Sequence, residues 1–153
     1  MRIICVIIGF VLLLSSCQTG PFFEKNSIIP SQEWEKAFQP EFQFEVQDTT
    51  ALYDVFLNIR HSPYYRYTDL FLSTSELRPD STEIIDSVRG ISLADPEGKW
   101  LGKSSGHLYE RTVIWGADYR FLDTGIYTLQ IRHQMDDPVL IGINDIGFKI
   151  VKK

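Results

Sequence analysis

The chain has 153 residues, 44% hydrophobic and 23% charged, and its 20 acidic against 15 basic residues give a net charge of −5 at pH 7. No basic stripe exists along it, which excludes nucleic acid as a partner, because phosphate binding rests on clustered Lys and Arg. Cys5 and Cys17 are the only cysteines, so everything after residue 17 lacks a thiol for a disulfide, a zinc site or a nucleophile.

In chain order, an apolar run from Ile3 to Leu14 follows the single basic Arg2. At about 1.5 Å per residue a helix there reaches about 18 Å, short of the roughly 30 Å hydrocarbon core. Residues 1–16 are therefore expected to form a secretory signal helix rather than a membrane span. Leu14-Ser15-Ser16-Cys17 looks like a bacterial lipobox, in which the chain is cut before the cysteine and its thiol is acylated. An ordinary signal with a small-residue cleavage site and an incidental Cys17 is the other reading. Acyl chains worth about 0.8 kcal/mol per buried CH₂ would hold such a protein to a bilayer. Residues 17–39, which include Gly20, Pro21 and Pro30, suit a lipid anchor and tether. Within them Ser31 is placed to cap a short turn that stacks Trp34 on Phe38. Residues 40–153 are long enough for one domain with its own core.

From Glu41 the period of hydrophobicity becomes two. "EFQFEV" sets Phe42, Phe44 and Val46 against Glu41, Gln43 and Glu45, and "YDVFLNIR" puts Val55, Leu57 and Ile59 on one face, the pattern of half-buried strands. Further strands are expected over 69–77, 84–93, 108–115, 126–135 and 139–151. Between them lie turn residues such as Pro79-Asp80, Asp95-Pro96-Glu97-Gly98 and Asp136-Asp137-Pro138. Gly142 and Gly147 interrupt the last run and mark a bulge, a bend or a hairpin. About seven to eight strands without a long helical segment predict an all-β, antiparallel β-sandwich, jelly-roll or immunoglobulin-like. Asp123-x-Gly125-x-Tyr127 has the spacing of a tyrosine corner, with Leu129 where an immunoglobulin domain carries its second cysteine.

Several motifs suggest catalysis and fail on context. "GKSSG" at residues 102–106 matches G-x-S-x-G, yet a strand-like "HLYERTVIW" follows where a nucleophile elbow needs a helix. Ser104 is thus expected to be a loop serine. The same stretch falls short of a P-loop, which would require glycine where Glu97 stands. His61, His107 and His133 form no metal-ligand spacing, and His133 is in phase with Leu129 and Ile131, as a packed or edge histidine would be. Asp136-Asp137 and Asp95-x-Glu97 could reach a calcium ion but read as ordinary turn residues. The chain is expected not to be an enzyme, with no metal, no cofactor and no small-molecule substrate.

"SPYYRYTDLFL" at residues 62–72 crowds Tyr64, Tyr65, Arg66 and Tyr67 together, residue types enriched at binding hot spots. An extended segment would turn Tyr65 and Tyr67 to one face and Tyr64 and Arg66 to the other. One half would then be the rim of a strand and the other would face a partner. Trp100, Trp115 and the tyrosines could instead stack on pyranose rings, which keeps a glycan-binding role as the alternative.

The chain resembles the GldH family of gliding-motility lipoproteins of the Bacteroidetes. The resemblance is carried by the lipobox, Trp34 ahead of "FQFEVQDT", "LNIRHSPYYRYTDLFL", "LADPEGKWLGKSSG" and "FLDTGIYTLQIRHQM" closing on "LIGINDIGFKI". An asparagine is usual in that family where Asp69 stands. The resemblance implies a non-enzymatic envelope lipoprotein, acylated at Cys17, that is required for gliding and linked to the type IX secretion machinery. Scaffolding contacts with other proteins of that machinery go with this role. Gln18-Thr19-Gly20-Pro21-Phe22 carries neither an aspartate next to Cys17 nor an acidic cluster, which favours the periplasmic face of the outer membrane. Asp-Ser/Thr turns at Thr49, Ser81 and Ser87 look like O-glycan acceptors of that phylum, or are simply turns.

Overall fold

Residues 20–153 are described by a computed structural model. Twelve strands follow in order: β1 (Phe23–Ile28), β2 (Glu33–Glu35), β3 (Glu41–Val46), β4 (Tyr53–His61), β5 (Asp69–Leu77), β6 (Glu83–Ile85), β7 (Arg89–Ser92), β8 (Lys103–Ser105), β9 (Leu108–Tyr119), β10 (Gly125–His133), β11 (Val139–Ile141) and β12 (Ile143–Lys152). A single 3-10 turn, Pro30–Gln32, interrupts them. One antiparallel sheet runs β1-β12-β4-β9-β8, and a second runs β3-β10-β5-β6 with β7 also on β5. A two-stranded ribbon joins β11 to β2. The chain is an all-β sandwich, as its alternation requires, and neither sheet closes into a barrel.

Alternation decides which face each strand buries. β3 sinks Phe42, Phe44 and Val46 and leaves its glutamates in water. β4 buries Tyr53, Val55, Leu57, Ile59 and His61, while β10 buries Tyr127, Leu129, Ile131 and His133. The two sheets meet through these faces: Phe42 of β3 packs edge-on against Phe148 of β12 at 5.3 Å between ring centroids. Phe121 sits at the centre of an aromatic cluster, 5.1 Å from Tyr53, 4.9 Å from Tyr127 and 5.4 Å from Phe44. Each fully buried side chain of this size contributes about 1.5–3 kcal/mol, so this cluster is a principal source of stability. The tyrosine corner forms as its spacing predicts, with the Asp123 backbone N–H donating to the buried Tyr127 hydroxyl at 3.0 Å.

Several points differ from the sequence reading. The tether expected over 17–39 is strand from Phe23 on, with β1 paired to β12 from Phe23↔Ile150 to Ile28↔Asp145. "FEKNSI" escapes a periodicity search because an edge strand is held by its backbone ladder and here half-buries only Phe23 and Ser27. Ser31 caps no turn; it lies within the 3-10 turn at φ 54°. Trp34 meets Phe38 through an indole N–H to carbonyl bond of 2.8 Å rather than by ring stacking, and its ring packs on His133. The run 84–93 splits into β6 and β7, both paired with β5; the Asp86 N–H still donates to the Thr74 carbonyl of β5 at 2.8 Å, and residues 87–88 between the two strands leave the ladder.

Both glycines of the last run have a physical reason. Gly142, at φ +95°, separates β11 from β12 and lies too close to the backbone of Tyr64 and Tyr65 for a side chain. Gly147 stays within β12, where a Cβ would meet the Asn26 side chain and the Lys25 carbonyl, so its hydrogen lets β1 approach.

Candidate functional site

The tyrosine stretch is a loop, not the start of a strand. β4 ends at His61, a turn closes from the Tyr65 N–H to the Ser62 carbonyl at 3.1 Å, and β5 begins only at Asp69. Of its four side chains only Tyr65 is buried, so the two-and-two split that alternation predicts is not kept. Tyr65 is 3% exposed, and its hydroxyl donates to the Asp69 carbonyl at 2.7 Å. Burial pushes that hydroxyl well above the ordinary tyrosine range. Tyr67 packs edge-on against it at 5.8 Å and donates to the Asp137 carboxylate at 2.7 Å, which raises the Tyr67 pKa. Tyr64 is 77% exposed and Arg66 is exposed beside it. The Asp69 carboxylate accepts from Ser92 at 2.7 Å and from Thr68 at 2.9 Å, fixing the end of the loop.

Beneath the loop lies an aromatic floor. The buried His61 ring is 4.5 Å from Trp100, 5.6 Å from Tyr109 and 5.9 Å from Tyr65. Burial lowers the His61 pKa, and its Nδ1 lies 3.2 Å from the Ser62 carbonyl. The loop is therefore a fixed platform carrying Tyr64 and Arg66 outward. It also occupies one pole of the sandwich. β1 starts at Phe23, level with Ile150 and through it with Val55, near the start of β4. The loop follows the other end of that strand, six residues on from Val55 and so about 20 Å away at roughly 3.3 Å per residue.

The remaining sequence candidates are scattered. Ser104 is exposed on the short edge strand β8, followed by a two-residue turn and β9 rather than by a helix. His107 lies exposed in that turn, and His133 is buried with Nε2 3.1 Å from the Trp34 carbonyl. Asp95 closes its own turn, accepting from Lys99 N–H at 2.8 Å, and Asp137 is engaged by Tyr67. Among the described residues no group of three or more His, Cys, Asp or Glu is placed to hold a metal ion. Trp115 is 7% exposed beneath the Arg89 guanidinium, and Trp100 is half-buried on His61. Thr49, Ser81 and Ser87 all lie outside strands, Ser81 and Ser87 exposed and Thr49 half-buried. Cys17 and the signal lie outside the described residues.

Two features escape the sequence reading. Asp145 is fully buried on β12, where its carboxylate accepts from Arg60 Nε at 2.7 and 2.9 Å, from Asn26 at 3.0 Å and from Asn144 at 2.6 Å. An acidic residue inside the apolar run "LIGINDIGFKI" was its one signal. The second is a cavity of about 100 Å³ between the sheets, opening between β6 and β9 and lined by Val55, Thr74, Ile84, Trp115, Phe121 and Leu129. Over its mouth Arg89 stacks on the Trp115 ring at 4.3 Å and donates to the Trp115 carbonyl. Nearby, Tyr119 donates to Glu76 at 2.6 Å, and its pKa is raised by burial and then by that carboxylate.

With this geometry in place, comparisons with known proteins give a consistent answer. The family described as GldH lipoprotein matches residues 22–150. The chain is 32% identical to the "Gliding motility lipoprotein GldH homolog" of Christiangramia forsetii, over 96% of this chain and 93% of that one. It is 27% identical to the "Gliding motility lipoprotein GldH" of Flavobacterium johnsoniae, over 93% and 91% respectively. Among solved structures, dimeric latent PorU from Porphyromonas gingivalis is similar at a TM-score of 0.40 and 12% identity. That likeness spans 91% of this chain but 14% of PorU and is too slight to carry an argument.

Proposed function

The chain belongs to the GldH lipoprotein family, and we propose from this that it is a non-enzymatic lipoprotein required for gliding, acting as a scaffold for the type IX secretion and gliding machinery. The observation that carries the scaffold role is the division of the tyrosine loop. Tyr65 and Tyr67 spend their hydroxyls on Asp69 and Asp137, while Tyr64 and Arg66 are left over at a fixed site. Pre-ordered Tyr and Arg side chains bind with little further entropy loss. With signal cleavage after Ser16 and acylation of Cys17, the anchor is six positions before Phe23 in the chain, and Phe23 lies toward the pole opposite this loop. The platform then points away from the membrane that holds the protein, which we assign to the periplasmic face of the outer membrane.

Purification of the tagged lipoprotein from its own membranes tests this, with Cys17→Ala as the control. Gliding or type IX secretion components are expected to be enriched with the acylated form. Tyr64→Ala with Arg66→Ala is expected to lose them while stability moves by less than about 0.5 kcal/mol, as for other surface changes. Removal of the domain by proteases acting on intact cells would overturn the periplasmic location. The glycan-binding alternative has less support, since Trp115 is covered by Arg89 and Trp100 is engaged by His61. Affinity electrophoresis against polysaccharides is its direct test. The turns at Thr49, Ser81 and Ser87 remain proposed O-glycan sites, checked by intact mass of the native protein.

A further inference from the structure

We infer that the pole of the sandwich at which the chain enters rests on the lipid surface, with Leu122 and Phe22 seated among the headgroups. The inference rests on the proposed acylation of Cys17, which supplies the bilayer, and not on the scaffold reading. Strand register places the entry at that pole. β1 runs antiparallel to β12 from Phe23↔Ile150, so the residues before Phe23 continue toward the end of β12, where Lys152 pairs with Tyr53. Tyr53 opens β4 and pairs with Tyr119 at the end of β9, while Gly125 opens β10 opposite Val46 at the end of β3. The Phe22 ring agrees with this level, 5.1 Å from the ring of Tyr53. The loops 47–52 and 120–124 and the terminal Lys153 therefore surround the entry. From Gly20 back to Cys17 is three residues, at most about 11 Å of chain. Headgroups add roughly 5–8 Å to each side of a bilayer, so side chains at the tip of this pole reach them without any rearrangement of the fold.

Single exposed apolar side chains are ordinary on a protein surface. Leu122 differs in being held outward by a braced loop. Its neighbour Phe121 fills the interior position, packed on Tyr53, Tyr119 and Tyr127. The Asp123 N–H donates to the Tyr127 hydroxyl and the Asp118 N–H to Asp54, each at 3.0 Å, which pins the loop at both ends. Leu122 is left 62% exposed, and Phe22 at the entry is 36% exposed. Ile126, the second residue of β10, is exposed to the same extent as Leu122. Arg120 and Asp123 flank Leu122 in the chain, and both are exposed. An apolar tip can enter the interface while such charged neighbours stay at its watery side.

Charge does not carry this contact. Lys152 pairs with Asp48 at 2.7 Å, and Lys153 pairs with Asp54 at 3.0 Å and with Asp118. Both lysines of the pole are thus spent on its own carboxylates, and the described residues present no polybasic patch there to an anionic leaflet. The contact is expected to persist at high salt, where screening removes attraction between exposed charges.

A nitroxide on Leu122→Cys of the full acylated lipoprotein, reconstituted in phosphatidylcholine vesicles, tests the contact. With Cys5 removed in the leader and Cys17 capped by its lipid, the new cysteine is the one free thiol. Oxygen concentrates in the bilayer, whereas a nickel chelate stays in water. The label at Leu122 is expected to be relaxed more by oxygen than by the chelate, in low and high salt alike. A label on Arg66→Cys, at the other pole, is expected to show the reverse order. Both positions are exposed, so the labels leave the packing of the fold untouched. Chelate relaxation at Leu122 equal to that at Arg66, on vesicle-bound protein, overturns the inference. So does spin–spin broadening that reports a second copy at Leu122 in place of lipid, or a contact that vanishes at high salt. Protein that never binds the vesicles removes the acylation reading and this inference with it, whereas bound protein with Leu122 in water removes this inference alone.

Discussion

Along the flank where β1 meets β3, Phe22 and Phe23 close on Phe44 at 6.1 and 5.2 Å between ring centroids, and Phe22 reaches Tyr53 at 5.1 Å. Along the flank where β6 faces β9, Trp115, Tyr119 and Ile84 stand around an unfilled space of about 100 Å³. Both flanks are built from aromatic and branched residues, so composition does not separate them. Packing does. The first flank receives an extra strand that inserts its own phenylalanines, whereas the second is bridged by the Arg89 side chain. A sandwich flank is sealed by a chain segment that arrives, and among the described residues no further strand reaches the second.

The largest test of this contrast is Phe44→Ala on the closed flank. It removes the ring that Phe22, Phe23, Phe121 and Tyr127 all contact, and a loss of about 3–5 kcal/mol in denaturant unfolding is expected. A loss below 1 kcal/mol would mean that the flank is not sealed by this ring. Asp145→Ala is expected to cost less, about 2–3 kcal/mol. It removes the bond that ties Asn26 of β1 to β12, but Asn26 is exposed and Arg60, whose side chain is 37% exposed, can turn to water as well. Faster amide exchange in β1 than in β9 should accompany it, because Asn26 ties β1 to the sheet.

Much of this contrast was readable in the sequence and some was not. β3 and β5 have the expected bounds because a strand with one buried face must alternate. The tyrosine corner was readable because its turn residues sit at fixed spacing. β1 was not, since edge strands with polar side chains leave no period. Alternation does not give the division of Tyr64 to Tyr67, since in this loop only Tyr65 is buried, and the bonds to Asp69 and Asp137 join residues far apart in the chain or through backbone carbonyls. The cavity had no sequence signal, because a void depends on what several strands fail to fill.

Acid response belongs to neither flank. Burial lowers the pKa of both His61 and His133, which lie beneath the tyrosine loop and beside Trp34. The folded state therefore holds them neutral more firmly than the unfolded chain, where protonation begins near 6.5. Stability from this source is fully present above about pH 6.5 and is lost as pH falls below it toward the depressed folded values. Unfolding free energy measured from pH 8 to 5 should be flat and then decline, and His133→Gln should reduce the decline. An unchanged decline in that variant would place the proton uptake elsewhere.

Val55→Leu carries the smallest expected effect and decides what the open flank is. Val55 lies 6% exposed on the cavity wall, so one added methylene points into existing space rather than into neighbours. Filling a void of this kind commonly adds about 0.5–2 kcal/mol, and the low end is expected here because only part of about 100 Å³ is taken up. Overpacking instead costs about 1–3 kcal/mol, so the sign of the change is readable even though its size is small. A gain would show that the wall tolerates an apolar group without rearrangement. A loss would mean that the walls are held by the Thr74, Asp86, Arg89 and Trp115 hydrogen bonds too rigidly to admit one, and the two flanks would then differ in shape alone.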